Sequence, residues 1–326
     1  MVNREQLKED LLNFNFLTQE EQKERQTKKS DILLINESKV EDPNQILPIL
    51  IPVDSTSKKL WREWKAIEEH VSSFPFRRSP GRNNYFLVKN DFDGNNLGII
   101  DVAADFLALG PRDRHIGWDK NDKILRNRNI ANISVCVPTR QFGYNMCGGK
   151  LLTLLAASDV VGNHWKEKYN DDLAGLTVTS LYGRGVQYNR LKHFNYLGLT
   201  QGQGTVQISE DLYQLMRLVV EEEEGEIPGG QFTSGKNSRI NIIRKACDHL
   251  GIDAKRLTTH GNRRGIYWCD RAENTSEFLK GIDTELKLKD LSIDTLVNHW
   301  KERWAYKRVQ NINNKDSWDN RVGAKI

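Results

Sequence analysis

Apolar positions along the chain fall into two spacings, one suited to strands and one to helices. Apolar runs at Ile130-Ala-Asn-Ile-Ser-Val-Cys-Val-Pro138 and Leu173-Ala-Gly-Leu-Thr-Val-Thr-Ser-Leu-Tyr182 predict two strands. Between them Lys150-Leu-Leu-Thr-Leu-Leu-Ala-Ala157 predicts a helix running on towards Trp165. Strand, helix and strand in that order make a parallel pair with a helical crossover. Earlier, the runs at 84–89 and 97–104 flank Asp93-Gly94, which predicts a hairpin. Leu60, Trp64, Ile67 and Val71 recur at helical spacing behind Ser57, a good N-cap. Further helices are expected at 212–220, at 240–250 with Gly251 as C-cap, at 276–280 before Gly281, and from Ser292 to about Val309. A strand is expected at Gly265-Ile-Tyr-Trp-Cys269.

The pattern is therefore α+β. Leu7, Leu11 and Leu12 give the start a helical, core-seeking stretch, and Thr18-Gln-Glu-Glu21 forms a capping-box pattern before a polar helix or tail. Pro43, Pro48 and Pro52 interrupt regular structure, so Ile46-Leu-Pro-Ile-Leu-Ile-Pro-Val53 reads as an extended segment laid over the body. The acidic run Glu221-Glu-Glu-Glu-Gly-Glu226 reads as a solvated helix end. The Gly- and Ser-rich stretch from Pro228 is the clearest boundary. This suggests a helical and extended arm at 1–56, a core at 57–224 and an α/β extension at 225–326 ending in a Trp-rich basic helix.

Composition narrows the class. Of 326 residues, 38% are hydrophobic and 28% charged, a soluble globular balance. There is no apolar run long enough to span a membrane and no secretory signal core at the start, so a cytoplasmic setting is expected. Cys136, Cys147, Cys247 and Cys269 lie far apart without a Cys-x-x-Cys pair, and no metal is expected. The formal charge of +4 permits nucleic-acid binding without arguing strongly for it.

Three polar groups stand out. Residues 139–149 read as a glycine-rich turn in which Gly143, Gly148 and Gly149 would admit a phosphate to free amides, with Arg140 adding charge. The same pattern fits an ordinary strand–helix loop. Arg112-Asp-Arg-His115 forms a polar turn beside Trp118, either a site or a structural ion pair. After the second strand, a short helix is expected where Arg184, Gln187, Tyr188, Asn189, Arg190 and His193 crowd together; Tyr188 could stack a base or donate a proton, and His193 could act as a base. Lys120, Lys123, Arg126 and Arg128 form a basic stretch, and Arg256, His260, Arg263 and Arg264 precede an aromatic strand. No Gly-x-Ser-x-Gly elbow, His-Glu-x-x-His helix or Walker-type phosphate loop is present.

Two of these stretches resemble known families. Arg140-Gln-Phe-Gly-Tyr-Asn145 resembles the coenzyme A motif of GNAT N-acetyltransferases, (Gln or Arg)-x-x-Gly-x-(Gly or Ala), with Asn145 at its last position. Phe194-Asn-Tyr-Leu-Gly-Leu199 resembles that family's Tyr-x-x-x-Gly-Phe, with Phe194 in place of the proton-donating tyrosine. The chain is also similar to the DruA family of antiphage proteins, found in Druantia systems and near transposases. The matching stretches are Arg112-Asp-Arg-His-Ile-Gly-Trp118, His164-Trp-Lys-Glu-Lys-Tyr169, Gly185-Val-Gln-Tyr-Asn-Arg190, Arg264-Gly-Ile-Tyr267 with Asn274-Thr-Ser-Glu-Phe-Leu-Lys-Gly281, and His299-Trp-Lys-Glu-Arg-Trp304. The central unit looks like the GNAT-like phage Mom proteins as well.

These resemblances imply a GNAT-like, mixed and mostly antiparallel sheet flanked by helices. They imply a transferase acting on nucleic acid, DNA by preference, with acetyl-CoA or another acyl-CoA as donor. Arg140, Gln141, Phe142, Gly143, Tyr144 and Asn145 would hold the donor, Asp113, Tyr188 and His193 would carry the chemistry, and Arg112, Arg114, Arg184, Arg190, Arg263 and Arg264 would hold the nucleic acid. Defence-system or mobile-element subunits are the implied partners. The alternative is a GNAT-like module that binds nucleic acid and has lost the chemistry.

Overall fold

A computed structural model describes residues 2–15, 29–54, 56–72, 81–181, 183–201, 208–227, 238–259 and 263–323. The capping box at 18–21, Tyr182, the loop at 228–237 and His260 lie outside these residues. In chain order the strands are β1 (Pro48–Val53), β2 (Asn83–Asn90), β3 (Asn96–Ala104), β4 (Ile130–Pro138), β5 (Gly175–Ser180), β6 (Phe194–Leu199) and β7 (Gly265–Asp270). The helices are α1 (Arg4–Leu12), α2 (Lys58–Val71), α3 (Gly110–Ile116), α4 (Lys120–Arg126), α5 (Arg140–Met146), α6 (Gly148–Ala156), α7 (Asp159–Tyr169), α8 (Glu210–Glu224), α9 (Arg239–Leu250), α10 (Lys255–Thr258), α11 (Thr275–Leu279), α12 (Ile293–Trp300) and α13 (Tyr306–Asn313). A π-helical turn, Lys301–Ala305, joins the last two. No helix among the described residues is long and apolar enough to cross a membrane.

The strands form one seven-stranded sheet in the order β1-β2-β3-β4-β5-β7-β6. Every neighbouring pair is antiparallel except β4 and β5. The expected α+β class with a mixed, mostly antiparallel sheet is the one observed. The hairpin predicted around Asp93-Gly94 is β2–β3, and Gly94 takes the left-handed φ of 71° that the turn needs. The proline-marked segment expected to lie over the body is instead edge strand β1, a place where proline's missing N–H is tolerated.

Contacts gather the chain into two compact units, 1–22 with 200–264, and 23–199 with 265–326. This division follows contacts and does not coincide with the linear partition at 56 and 224. The first unit is helical: α1 buries Leu7 and Leu11 in one cluster with Met216, Val219 and Val220 of α8 and Ile242, Ile243, Ala246 and Cys247 of α9. Its acidic run is paired. Glu222 and Glu223 meet Arg4, Glu221 meets Arg217, and Glu224 meets Lys245 and His249. The second unit holds the sheet. On one face α6, α7 and α12 supply Leu151, Leu152, Leu155, Val161, Trp165 and Trp300 to the main core. Around β2 and β3, α2 packs Trp64, Ile67 and Val71 beside Leu87 and Ile99, as its periodicity predicted.

The central stretch departs from its reading in three places. Residues 139–149, expected to be a turn, are α5, then Cys147 at φ 58°, then the start of α6. The helix expected to run from Lys150 to Trp165 is broken at Ala157–Ser158 into α6 and α7. The short helix expected after β5 is a run of turns instead, with Arg190 and His193 at φ 63° and 68°. Likewise the polar turn expected at 112–115 lies within the short helix α3, and the basic stretch from Lys120 forms the short helix α4.

Candidate functional site

The sheet opens between β4 and β5. The two strands pair only at Ile130–Gly175, Ala131–Leu176 and Asn132–Thr177. Beyond that the six remaining residues of β4 have no partner on this side in the sheet. A bulge displaces β4 against β3 at the same level, between Asp101 and Val102. The loop after β5 fills the opening. Gln187 Nε2 donates to the Cys136 carbonyl at 3.1 Å, a bond of the kind a parallel neighbour would have made. The same amide reaches Thr153 Oγ1 at 3.2 Å. A Cβ at Gly149 would lie 3.2 Å from the Gln187 side chain, which is why glycine suits the start of α6 there.

Lys150 fastens this loop, and sequence reasoning did not single it out. Its ammonium donates to the carbonyls of Val186 at 2.7 Å and Asn189 at 2.9 Å, and lies 4.8 Å from the centre of the Trp304 ring. Burial, and then the nearby Arg190 and Arg303, push its amine down to about 8. The one available signal was a lone lysine opening an otherwise apolar helix. Tyr188 packs 5.5 Å from Tyr267, whose hydroxyl donates to Asn189 Oδ1 at 2.7 Å. Burial holds the Tyr188 phenol far above its ordinary value, so it is neutral throughout the physiological range. Arg184 lies over Tyr196 at 4.7 Å.

The loop is ringed by cations. Arg184, Arg190, Lys192 and Arg303 are exposed. His193 is lowered by burial and by Lys289 and Lys192, and His299 by burial and by Lys192 and Arg303. Glu273 and Glu302 supply the opposing charge at these two histidines.

The three expected groups are not brought together. Arg112 is fully buried, and all five of its N–H donors are used: by Asp113 (twice), Asp105 and the carbonyls of Phe106 and Leu107. Asp113 also accepts from Trp118, Lys123 and the Leu109 N–H. Burial works to raise its carboxyl, but Arg112 and Lys123 outweigh it and hold it ionised. This cluster reaches Thr177 through Asp105 at 2.6 Å. Thr177 sits in register with Trp268, whereas Tyr188 packs on Tyr267. Adjacent strand residues point to opposite faces, so Asp113 and Tyr188 lie on opposite sides of the sheet. Arg114 is exposed on α3, and Arg263 and Arg264 belong to the helical unit.

The stretch expected to hold a donor forms a third group. Arg140 pairs with Asp319 at 2.5 Å. The Gln141 N–H, one of the first amides of α5, is taken by Glu37 at 2.9 Å. Asn145 bonds the backbone of Asp319. Phe142 is buried 5.8 Å from Trp300, and Arg308 bonds the Tyr144 carbonyl. The Gln141 amide and the Arg140 charge, which would meet a phosphate, are engaged by the chain's own carboxylates. No cluster of His, Cys, Asp or Glu able to hold a metal occurs among the described residues.

Comparison with known proteins agrees with the motifs. The family model described as Druantia protein DruA matches residues 5–281. Druantia protein DruA of Escherichia coli (strain UMEA 4076-1) is 27% identical over 257 residues, covering 73% of this chain and 62% of that protein. The chain thus spans less than two thirds of that relative's length. No solved structure matches. With the matched region taking in nearly all of the helical unit and all seven strands of the sheet, the chain belongs to the DruA family.

Proposed function

We propose that this chain is the nucleic-acid-binding component of an antiphage defence system of the Druantia kind, acting in the cytoplasm on a GNAT-like sheet whose donor site is closed. The supporting observation is the ring of exposed cations around the post-β5 loop, Arg184, Arg190, Lys192 and Arg303; burial first, and then cations of this surface, lower His193, His299 and Lys150. Exposed arginines and lysines of this kind neutralise backbone phosphates and release counterions. Aromatic side chains stand among them, Tyr196 beneath Arg184 and Trp304 beside Arg303. Fluorescence anisotropy with duplex and single-stranded DNA tests the reading. Binding is expected to weaken steeply with salt. R190E, K192E and R303E together are expected to flatten the dependence by roughly 0.9 in log–log slope for each duplex phosphate contact removed. Salt-independent binding, or a triple variant indistinguishable from the parent, would refute it.

A second reading, a nucleobase acyltransferase using acetyl-CoA or another acyl-CoA, is favoured by one feature. The parallel strands part after three residue pairs, leaving strand amides unpaired beside a following helix. It requires both the Gln187 plug and the Glu37 and Asp319 carboxylates to move. Calorimetry with acetyl-CoA distinguishes the two: this reading expects binding that Arg140→Ala abolishes, the first expects none.

A further inference from the structure

Arginines lie over aromatic rings in several places, and in some of them a carboxylate answers the charge. Arg82 on Tyr169 pairs with Asp171, Arg112 on Trp118 with Asp105 and Asp113, and Arg239 on Tyr213 with Glu210. Three others differ. Arg184 lies over Tyr196 at 4.7 Å, Arg303 over Trp304 at 5.6 Å and Arg308 over Tyr144 at 4.7 Å. Among the described residues none of these three is bridged to a carboxylate, not even Arg303 to its neighbour Glu302. Arg126 over Phe278 is also unbridged, but that ring belongs to the cluster around Trp268 on the other face of the sheet.

The three pairs follow one another along a single band. Tyr196 and Trp304 pack against the same core. Lys150 links the post-β5 loop to the Trp304 ring, bonding the Asn189 carbonyl and lying 4.8 Å from the ring centre. Arg308 stands four residues beyond Trp304, one turn along the helix on the same side, and its Nε donates to the Tyr144 carbonyl at 2.9 Å. Arg184 and Arg303 are exposed and Arg308 half-exposed, so each guanidinium is steadied by a ring and remains accessible. A phosphate needs only charge, which lysine supplies as well. A plane fixed by a ring beneath it suits a second flat group, and unpaired bases are held by stacking on aromatic rings and arginine planes. Bases in a duplex already stack on one another and offer no face. We propose that this band takes single-stranded nucleic acid, with unstacked bases against the planes of Arg184, Arg303 and Arg308 and backbone phosphates on Arg190 and Lys192. The proposal rests on the nucleic-acid reading above and adds to it the strandedness of the ligand.

Fluorescence anisotropy with the full chain tests it, using oligothymidine of about 16 nucleotides, its duplex with oligoadenosine, and an abasic strand with as many phosphates. At matched salt, oligothymidine is expected to bind more tightly than the duplex, and roughly ten-fold or more tightly than the abasic strand. R184K, R303K and R308K together keep the charge and remove the planes. This variant is expected to lose roughly ten-fold in affinity for oligothymidine with its salt slope unchanged, and to lose nothing for the abasic strand. Far-UV circular dichroism checks its fold. If it is not folded, R184K alone, in the exposed loop, replaces it, with a smaller loss expected in the same direction. Abasic and thymidine strands bound alike, a preference for the duplex, or a lysine variant equal to the parent would each overturn the base contact and leave the phosphate reading standing. Absence of salt-dependent binding to all three ligands would overturn both.

Discussion

At the scale of single residues, the side chains that shape the candidate site are those that repair backbone left unpaired. Gln187 serves the Cys136 carbonyl where β5 has turned away. Gln187→Ala should therefore leave a buried carbonyl and hydroxyl short of a donor and cost about 1–3 kcal/mol, measured by denaturant unfolding. Lys150 should be half neutral near pH 8, where an ordinary lysine is almost wholly charged. Competitive labelling with an acylating reagent across pH should show one lysine whose reactivity has its midpoint there, and Lys150→Met should remove it. The tail has its own pH signature. Arg321 and then Arg140 hold the Asp319 carboxyl below the usual range. A depressed folded pKa stabilises above the unfolded value, about 3.9, and the contribution is lost as pH falls below it. The stabilities of the parent and Asp319→Asn should thus draw together as pH falls below about 4 and meet only in strong acid, beneath the depressed folded value. Glu37 acts in the opposite sense, since burial raises its carboxyl. Its charged form is therefore a cost at neutral pH. None of these roles could be read locally: Glu37 and Asp319 reach α5 from 104 and 174 positions away.

At the scale of elements, the sequence was legible wherever apolar spacing alone decides the structure. The stripe Trp64, Ile67, Val71, the β2–β3 hairpin and the glycine-capped α9 all formed where their patterns placed them. It was illegible where a distant group settles the matter. Arg140-Gln-Phe-Gly-Tyr-Asn-Met146 carries a mid-segment glycine and no N-capping side chain of its own, yet it is helical with its second amide, that of Gln141, answered by Glu37. The polar quartet at 112–115 read equally as a site or as a structural ion pair; Arg112 and Asp113 prove to be the ion pair, with Asp105 and no arginine donor to spare, while Arg114 and His115 are exposed. Several motifs shared with the family prove architectural on inspection. Asn274, for example, ties Glu285 and Lys287 to the start of α11. One further element is testable. A Cβ at Gly265 would collide with the Gly183 carbonyl, at the point where β7 passes the start of the plugging loop. Gly265→Ala should cost roughly 1–3 kcal/mol and displace that loop, visible as faster proteolysis between 183 and 193.

At the scale of the whole molecule, the mixed sheet was foreseen, and the route the chain takes through it was not. β6 and β7 are antiparallel neighbours with Leu199 directly opposite Gly265. Thr200 and Arg264, the next residues on either side, bond each other again. Topologically, then, residues 200–264, which together with 1–22 make up the helical unit, are the loop of one β-hairpin. The ends of this insertion lie a single strand spacing apart, so exchanging residues 200–264 for a tight turn such as Asn-Gly, with α1 removed because Leu7 and Leu11 would lose the cluster that buries them, asks nothing of the strands. A chain shortened in this way offers a direct means of learning which of the family's properties travel with the sheet and which were spliced into it.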